Sequence, residues 1–366
     1  MAIQNSVRAL DGYKKVKGRH CISISLGESL INRYPYFIEN DFDESMFFGL
    51  DCGIDLVYHK MGPDKYPPYF VGGRYYDWVK DFSRITGIRY TRHTTEDEEA
   101  AWLALKAELD KGIPVMIEVD KFEIDHWNRV VGYMDVGGHL IVAVAYDENG
   151  VYISDDCPFD PAPFHYITHE ELRSSRNSKM YWNPPQNAWY SFELPERMPS
   201  LQDMVKTAIA SNAERYLNRS ELGTINTGIE GLRRLKDEIG GWDKELDFKI
   251  KSTRSGKAMD ALSYQMMIMS KTIHTGGAGG GGNFRILYSR FLNRAASILN
   301  DDRLLQASET LLQSAQCWER MSNLIDENQN SIAENWGSMS KVFTGLLEHI
   351  IAIEGDVFRK LVQFTS

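Results

Sequence analysis

Residues 137–155 (GGHLIVAVAYDENGVYISD) decide the fold of this chain, together with the short motif at residues 18–21 (GRHC) near its start. The longer stretch contains two apolar runs joined by residues 147–150 (DENG), and Asn-Gly between apolar runs is a strong signal for a β-hairpin. His139 opens the first strand of this hairpin and Asp155 closes the second. The sequence therefore predicts that the two side chains lie near each other.

Cys21 is the candidate nucleophile. A thiol attacks well only as a thiolate, and a neighbouring imidazole can take its proton, while an acid fixes the imidazole's orientation and supports its charge. An early Cys, a His that opens a strand and an acid that closes the next strand follow the order of a papain-like Cys-His-Asp site. We therefore predict Cys21 as nucleophile, His139 as base and Asp155 as orienting acid. Asp156 is the alternative acid, and a buried structural role is the alternative for each residue taken singly.

Composition and charge exclude several classes of protein. The chain has 366 residues, of which 43% are hydrophobic and 25% charged, as in ordinary globular proteins. A net charge of −10 argues against nucleic-acid binding, and no apolar run is long enough for a membrane span. The start of the chain has no apolar signal-peptide core, so we expect a cytoplasmic protein. Four scattered cysteines, at 21, 52, 157 and 317, indicate reduced thiols rather than a disulfide framework.

The first part of the chain, residues 1–195, has the pattern of an α+β domain with a largely antiparallel sheet. Thr95 with Glu98, and Thr168 with Glu171, are capping boxes that would open helices. Pro, Gly and aromatic residues at about 61–75 suggest a loop-rich segment. Short apolar or β-branched runs predict strands at Ile113–Val119, Leu140–Ala145, Val151–Ile153 and Ala188–Leu194.

After a linker at Pro195–Pro199, residues 200–366 change to a helical period. Apolar residues recur every three or four positions, which predicts a bundle of about five or six helices. Gly276–Gly282 favours a flexible connection or a close backbone approach between the two parts, since it lacks the Lys-Ser/Thr ending and the preceding strand of a phosphate-binding loop. The predicted helices follow Ser200 as far as Tyr216 and then cover 229–239, 257–274, 283–299, 302–327 and 340–364.

Several stretches of this chain are similar to one known family. They are His20-Cys21, residues 43–53 (DESMFFGLDCG), residues 72–74 (GGR) and the Gly-Gly-His hairpin. Together these motifs are similar to the N-terminal domain of butirosin biosynthesis protein H. The helical part, with residues 281–285 (GGNFR) leading into a helix, resembles the domain that often follows it.

The resemblance implies a papain-like cysteine-protease fold followed by an α-helical domain, and it implies acyl transfer. An acyl group would leave a carrier-protein thioester for Cys21 and pass to an amine, in the manner of the amide synthases that assemble closthioamide from thioester-loaded acyl units and a diamine. His139 would be base and then acid, and Asp155 would orient it. No cofactor is implied beyond the phosphopantetheine arm of the carrier. The implied partners are an acyl or peptidyl carrier protein and an amine or diamine, in the biosynthesis of a peptide-like antibiotic.

Charged residues near the nucleophile suggest how such substrates could bind. Basic side chains directly before Cys21 would attract an acidic carrier protein, although a solvated basic loop is the alternative. They are Lys14, Lys15, Lys17 and Arg19. Glu44 and Ser45 are candidates for substrate binding. In the same strongly acidic stretch Asp41, Asp43, Glu44 and Asp51 could attract a cationic amine, although a solvated loop is the favoured alternative.

Other interpretations of the sequence stay open. Residues 11–20, directly before Cys21, contain no Gln, the residue that papain-type peptidases use as an oxyanion donor. A cysteine peptidase or amidase would use the same triad with water as acceptor, and a non-enzymatic binding protein would bury Cys21. We predict no metal, because Cys157, His165 and His169 have no convincing fourth ligand. Exposed helical faces in the second part could pair in a homo-oligomer.

Overall fold

The computed structural model describes residues 10–63, 67–74, 79–127, 138–155, 162–179, 184–218, 221–222, 225–251, 256, 258–274 and 280–365. The helices are α1 (Cys21–Ile31), α2 (Pro35–Glu39), α3 (Glu44–Leu50), α4 (Lys80–Thr86), α5 (Glu98–Leu109), α6 (His169–Arg176), α7 (Leu201–Asn218), α8 (Gly228–Ile239), α9 (Trp242–Glu245), α10 (Ala261–Ile273), α11 (Arg285–Leu299), α12 (Arg303–Glu327) and α13 (Ile332–Thr365). The strands are β1 (Ile54–Lys60), β2 (Tyr69–Arg74), β3 (Arg89–His93), β4 (Val115–Asp120), β5 (Gly138–Tyr146), β6 (Gly150–Ser154), β7 (His165–Thr168), β8 (Trp189–Glu193), β9 (Glu221–Leu222), β10 (Ile225–Thr227), β11 (Lys249–Lys251) and β12 (Ala258–Asp260).

The chain forms two compact units that interleave along the sequence. The first unit comprises Met1–Phe47, Gly87–Arg197 and Ser252–Gly256; the second comprises Phe48–Thr86, Met198–Lys251 and Lys257–Ser366. The segment 48–86 thus groups with the C-terminal helices. The ranges 1–195 and 200–366 stay a prediction of domain organisation, and the compact units differ from them at this segment.

The first unit is built on one antiparallel sheet with the strand order β3-β8-β4-β5-β6-β7. Strands β4, β5, β6 and β8 lie where apolar and β-branched runs predicted them. The central strand β5 is buried along almost its whole length, and helix α1 packs against it. This arrangement of a sheet in the first unit and long helices in the C-terminal region confirms the predicted α+β class.

Two predicted helix caps have different outcomes. At Thr168 the capping box is confirmed, because its hydroxyl accepts from the Glu171 N–H while the Glu171 carboxylate accepts from the Thr168 N–H. At Thr95 the predicted box is wrong. Asp97 caps helix α5 instead, and the Thr95 hydroxyl accepts from the Asp97 N–H.

The second unit combines long helices with a small antiparallel sheet ordered β2-β1-β10-β9. Strand β2 lies inside the segment that we expected to be loop-rich, so that expectation is wrong for Tyr69–Arg74. Its glycines serve close packing, since a Cβ atom at Gly73 would stand 2.1 Å from the carbonyl oxygen of Asn283. Among the described helices none is long and apolar enough to cross a membrane.

The end of the glycine tract forms a left-handed turn before helix α11. Residues 276–279 lie outside the described part of the chain, whereas Gly280, Gly281, Gly282, Asn283 and Phe284 all have positive φ. A Cβ atom at Gly282 would stand 2.6 Å from the Cα atom of Ala315 in helix α12. The close backbone approach predicted for this tract therefore occurs within the second unit.

A buried ion pair joins two helices of this unit. The Arg285 guanidinium donates to both carboxylate oxygens of Glu354, at 2.7 and 2.9 Å, and neither side chain is exposed. Arg285 also donates to the carbonyl oxygens of Asp55 and Asn283, and Ser314 and Tyr216 donate to Glu354. These bonds connect helices α7, α11, α12 and α13 with strand β1.

Candidate active site

Cys21 is the first residue of helix α1, which runs for 11 residues. The thiol is partly exposed, whereas most of the helix behind it is buried. The N-cap residue, His20, makes no side-chain cap, and its ring hydrogen-bonds the Ser23 hydroxyl at 2.7 Å. The sulfur therefore lies at the positive end of a helix, where a thiolate is stabilised.

His139 is the second residue of strand β5, opposite Val119 of strand β4. Its side chain is buried and hydrogen-bonds the side chain of Cys21. The ring Nε2 lies 2.7 Å from Asp155 Oδ1. Because a carboxylate only accepts, Nε2 carries the hydrogen of that bond, which leaves Nδ1 for the thiol.

Asp155 follows strand β6 directly, and the hairpin register explains its position. Ser154 pairs with Val142, so the next step places Asp155 opposite Ile141 and on the same face as His139, two residues away. The structure thus brings together Cys21, His139 and Asp155 as the sequence predicted. The alternative acid, Asp156, lies outside the described residues.

The second oxygen of Asp155 has donors that the sequence did not indicate. Trp127 Nε1 donates to Oδ2 at 2.6 Å, and His126 Nε2 donates to the same oxygen at 3.0 Å. The Trp127 indole also stands edge-on to the His139 ring, with 5.2 Å between centroids. These contacts fix the carboxylate in one orientation and cover the His139–Asp155 bond on one side.

The electrostatics favour a charged imidazole. Burial alone would lower the pKa of His139, but the Asp155 carboxylate and the Cys21 side chain raise it to about 9. Burial alone would raise the pKa of Asp155, but the His139 charge and the bonds from His126, His139 and Trp127 hold it well below its ordinary range. At neutral pH the site therefore holds an imidazolium beside an ionised carboxylate, the partners that a Cys21 thiolate needs.

The basic residues before Cys21 differ in their contacts and in the exposure of their side chains. Lys14 exchanges hydrogen bonds with the Asn32 side chain through its backbone, and its side chain is exposed. Lys17 and Arg19 are also exposed, whereas Lys15 is half-buried and donates to the Pro163 carbonyl oxygen at 3.0 Å. Three of the four predicted cations thus remain on the surface within seven residues of the thiol.

Glu44 and Ser45 have protein partners in place of the substrate predicted for them. Glu44 Oε1 accepts from the backbone N–H groups of Arg19 and His20, at 2.6 Å each. The Ser45 hydroxyl donates to Asp43 Oδ1 at 2.7 Å. Both side chains are buried. Substrate binding by Glu44 and Ser45 stays a prediction, and this geometry does not favour it.

The same contacts limit the choice of oxyanion donors. Because the N–H groups of Arg19 and His20 donate to Glu44, neither is the second oxyanion donor, and the amide of Cys21 at the start of helix α1 is the candidate first donor. Residues 11–20 contain no Gln, so the second donor of this site is not a Gln of that stretch.

Two family models together match most of the chain. Residues 20–156 match the model of the butirosin biosynthesis protein H N-terminal domain, a range that includes Cys21, His139 and Asp155. The N-terminal part of the chain therefore belongs to the butirosin biosynthesis protein H-like family. Residues 170–361 match a domain of unknown function, DUF4872. No curated protein matches the chain significantly.

Membership of the butirosin biosynthesis protein H-like family points to an acyltransferase-like role in antibiotic biosynthesis. The family match covers the candidate triad and the hairpin that aligns it. Cys21 forms no disulfide with Cys52 or Cys317, the other two cysteines that the structure describes.

Proposed function

We propose that this protein is an amide-forming acyltransferase that carries its acyl group on Cys21. The observation that supports the proposal best is the buried chain of hydrogen bonds from Cys21 through His139 to Asp155. The donor is an acyl or peptidyl carrier-protein thioester and the acceptor is an amine, as the resemblance to the family implies. The likeness to closthioamide-assembling synthases, and with it a diamine acceptor, stays a prediction.

In the first step Cys21 exchanges places with the carrier thiol. The Cys21 thiolate attacks the thioester carbonyl, the bond to the carrier sulfur breaks, and the His139 imidazolium returns the proton to the departing thiol. The products are acyl-Cys21 and the carrier thiol. A developing oxyanion would be stabilised by the Cys21 amide at the start of helix α1.

In the second step an amine displaces Cys21. His139 is neutral once it has returned its proton to the carrier thiol, and the neutral imidazole can take a proton from the attacking amine. The carbon–sulfur bond then breaks, giving the amide and the Cys21 thiolate. Because a thioester is converted to an amide, the step is downhill and requires no nucleotide.

The exposed cations Lys14, Lys17 and Arg19 would bind the acidic surface of the carrier. They precede Cys21 by a few residues, and the half-buried Lys15 fixes their loop through Pro163. Attraction between opposite charges at the rim of a site raises the association rate more than it changes the chemistry. We therefore assign these residues to docking and none of them to the reaction.

Intact-protein mass spectrometry after mixing with acyl thioesters tests the proposal. We expect a covalent acyl adduct in the wild type, none in Cys21→Ala, and formation slowed by at least ~100-fold in His139→Ala. An adduct that persists in Cys21→Ala would contradict the assignment of the nucleophile. An unreactive wild type, with Cys21 labelled slowly and equally in His139→Ala, would favour the binding-protein interpretation.

The same assay separates docking from chemistry. Lys14→Glu/Lys17→Glu should slow adduct formation from a carrier-bound donor by roughly 10-fold or more at low salt, and leave a small soluble thioester nearly unaffected. Lys111→Glu, an exposed lysine at the far end of helix α5 that pairs with Glu108, is the matched control. Equal losses on both donors would remove these lysines from carrier docking.

A further inference from the structure

The carboxylate of Glu44 sits inside the turn that leads into the nucleophile. A single oxygen, Oε1, accepts from two successive backbone N–H groups, those of Arg19 and His20, at 2.6 Å each. The side chain is only 6% exposed, so these bonds replace most of its contact with water. Charge-assisted bonds of this kind are the stronger ones in proteins, and two of them on one atom fix two consecutive peptide planes.

Gly18 is the residue that lets this carboxylate approach. A Cβ atom at position 18 would stand 2.2 Å from Glu44 Cδ and 2.4 and 2.6 Å from its two oxygens, distances that no real contact has. Gly18 does not have a positive φ, so its backbone conformation does not require glycine. Space for Glu44 is therefore the reason for glycine at this position.

Helix α3 also packs against helix α1 at a second glycine, where a side chain of α3 occupies the space that a Cβ atom would need. Phe47 lies one turn after Glu44 and on the same face, and its ring would stand 2.7 Å from a Cβ atom at Gly27. Phe47 is fully buried and packs against Phe37 and Phe42. Glu44 is thus carried by an element whose position relative to Cys21 is fixed.

We propose that Glu44 is a positioning residue for the Cys21 nucleophile. Helix α1 begins without a side-chain cap from its own N-cap residue, His20, and Glu44, from another helix, fixes the two backbone amides that precede it. By binding the two amides before Cys21, it sets the direction in which the sulfur leaves the turn toward His139. The catalytic consequence rests on the function proposed above, whereas the structural consequence does not.

A double-mutant cycle of Gly18 and Glu44 tests the assignment. Glu44→Ala and Gly18→Ala should each slow acylation of Cys21 by a small thioester by about 30-fold, because the sulfur is misplaced. KM should change little, because substrate binding is unaffected. The double variant should be no slower than Glu44→Ala, because the new methyl group then meets no carboxylate. Glu44→Gln should keep most of the rate, since its amide oxygen still accepts both N–H groups.

Two control variants separate this effect from general disturbance. Gly12→Ala places a methyl group where nothing lies within 4 Å, and Glu39→Ala removes an exposed carboxylate from the same unit. Neither should change the acylation rate. Losses that add in the double variant, or a Glu44→Gln variant as slow as Glu44→Ala, would overturn the proposal.

A readout without any thioester keeps this test independent of the proposed reaction. Amide hydrogen exchange at Arg19 and His20 should accelerate in Glu44→Ala, and alkylation of Cys21 by iodoacetamide should slow relative to the wild type. If no thioester acylates the wild type, the proposed function fails, and alkylation alone decides the role of Glu44. Faster exchange with unchanged alkylation would overturn the positioning role. If Glu44→Ala does not fold, the comparison of Gly18→Ala with Gly12→Ala and of Glu44→Gln with the wild type decides in its place.

Discussion

His139 is the residue on which the chemistry of the site depends most. Its ring is buried, which by itself lowers the pKa, yet the neighbouring Asp155 carboxylate and Cys21 raise the pKa to about 9. An imidazolium that persists at neutral pH can pair with a thiolate, and it can protonate a leaving thiol. Burial alone would raise the pKa of Asp155, but the His139 charge and the hydrogen bonds from His126, His139 and Trp127 hold it low, so Asp155 stays ionised.

The protonation of His139 is a direct prediction of this geometry. In ¹⁵N-histidine NMR spectra the His139 ring should remain charged at pH 7 and titrate at a pKa of about 9. In Asp155→Asn the pKa should fall by at least about one unit, since the charge that raises it is gone while the burial that lowers it stays. Asp11→Asn, which removes an exposed carboxylate of the same unit, should leave the titration unchanged. A His139 that is neutral at pH 7 in the wild type would contradict this account of the site.

The triad was readable from sequence because its signals are local. Cys21 lies in a short motif, and the apolar runs around Asn149-Gly150 predict the hairpin that aligns His139 with Asp155. The Asp155 partners His126 and Trp127 have no such signal, since only the folded sheet brings them to a residue 28 or 29 positions later.

Glu44 was expected to bind substrate because an acidic side chain near a predicted site can attract a cation. Its actual donors are backbone amides 24 and 25 residues earlier, which no pattern of side chains reveals. The requirement for glycine at position 18 is likewise visible only in the structure, where a Cβ atom would overlap the Glu44 carboxylate.

Periodicity predicted the presence of the helices better than the positions of their ends. Helices α11 and α12 begin two residues and one residue after their predicted starts, whereas α13 begins at Ile332, eight residues before position 340. Trp336 and Met339 are buried in that extra stretch, so the apolar stripe continues where polar residues had hidden it. The cap of helix α5 was misplaced because Thr95 and Asp97 are both good cap residues and lie only two positions apart, and it is the carboxylate of Asp97 that binds two N–H groups.

The ion pair between helices α11 and α13 should be a large contributor to the stability of the second unit. Arg285→Met would leave the Glu354 carboxylate buried without its cation, at a cost of about 3–5 kcal/mol in the free energy of unfolding. Urea denaturation followed by circular dichroism would measure this loss. Arg285→Met/Glu354→Leu should lose less than Arg285→Met, because no unpaired charge remains.

A second pair on helix α13 supplies the control. Lys360 and Asp356 lie 2.6 Å apart but are 69% and 49% exposed, so Lys360→Met should cost less than about 1 kcal/mol. Equal losses for Arg285→Met and Lys360→Met would mean that the buried pair has no special role in holding these helices together.

At the scale of the whole molecule, the sequence predicted the α+β class and a change to helical structure near residue 200. It did not predict that residues 48–86 group with the C-terminal helices. Composition along the chain shows where a pattern changes, but it does not show which distant segments pack together. Strand β1, for example, pairs with β10, about 170 residues later, and Arg285 bonds the Asp55 carbonyl oxygen within that strand.

The fate of the isolated acyl-enzyme shows whether acyl-Cys21 passes its acyl group to an amine. The wild type is acylated with a small thioester, freed of excess donor, and mixed with a primary amine or with buffer alone, and the loss of acyl mass is followed by rapid quenching and mass spectrometry. We predict discharge by the amine at least ~100-fold faster than by water, with the amide as product, because the site must favour aminolysis over hydrolysis. Discharge at the same rate without amine, with the free acid as product, would rule out transfer to an amine and identify the protein as a hydrolase.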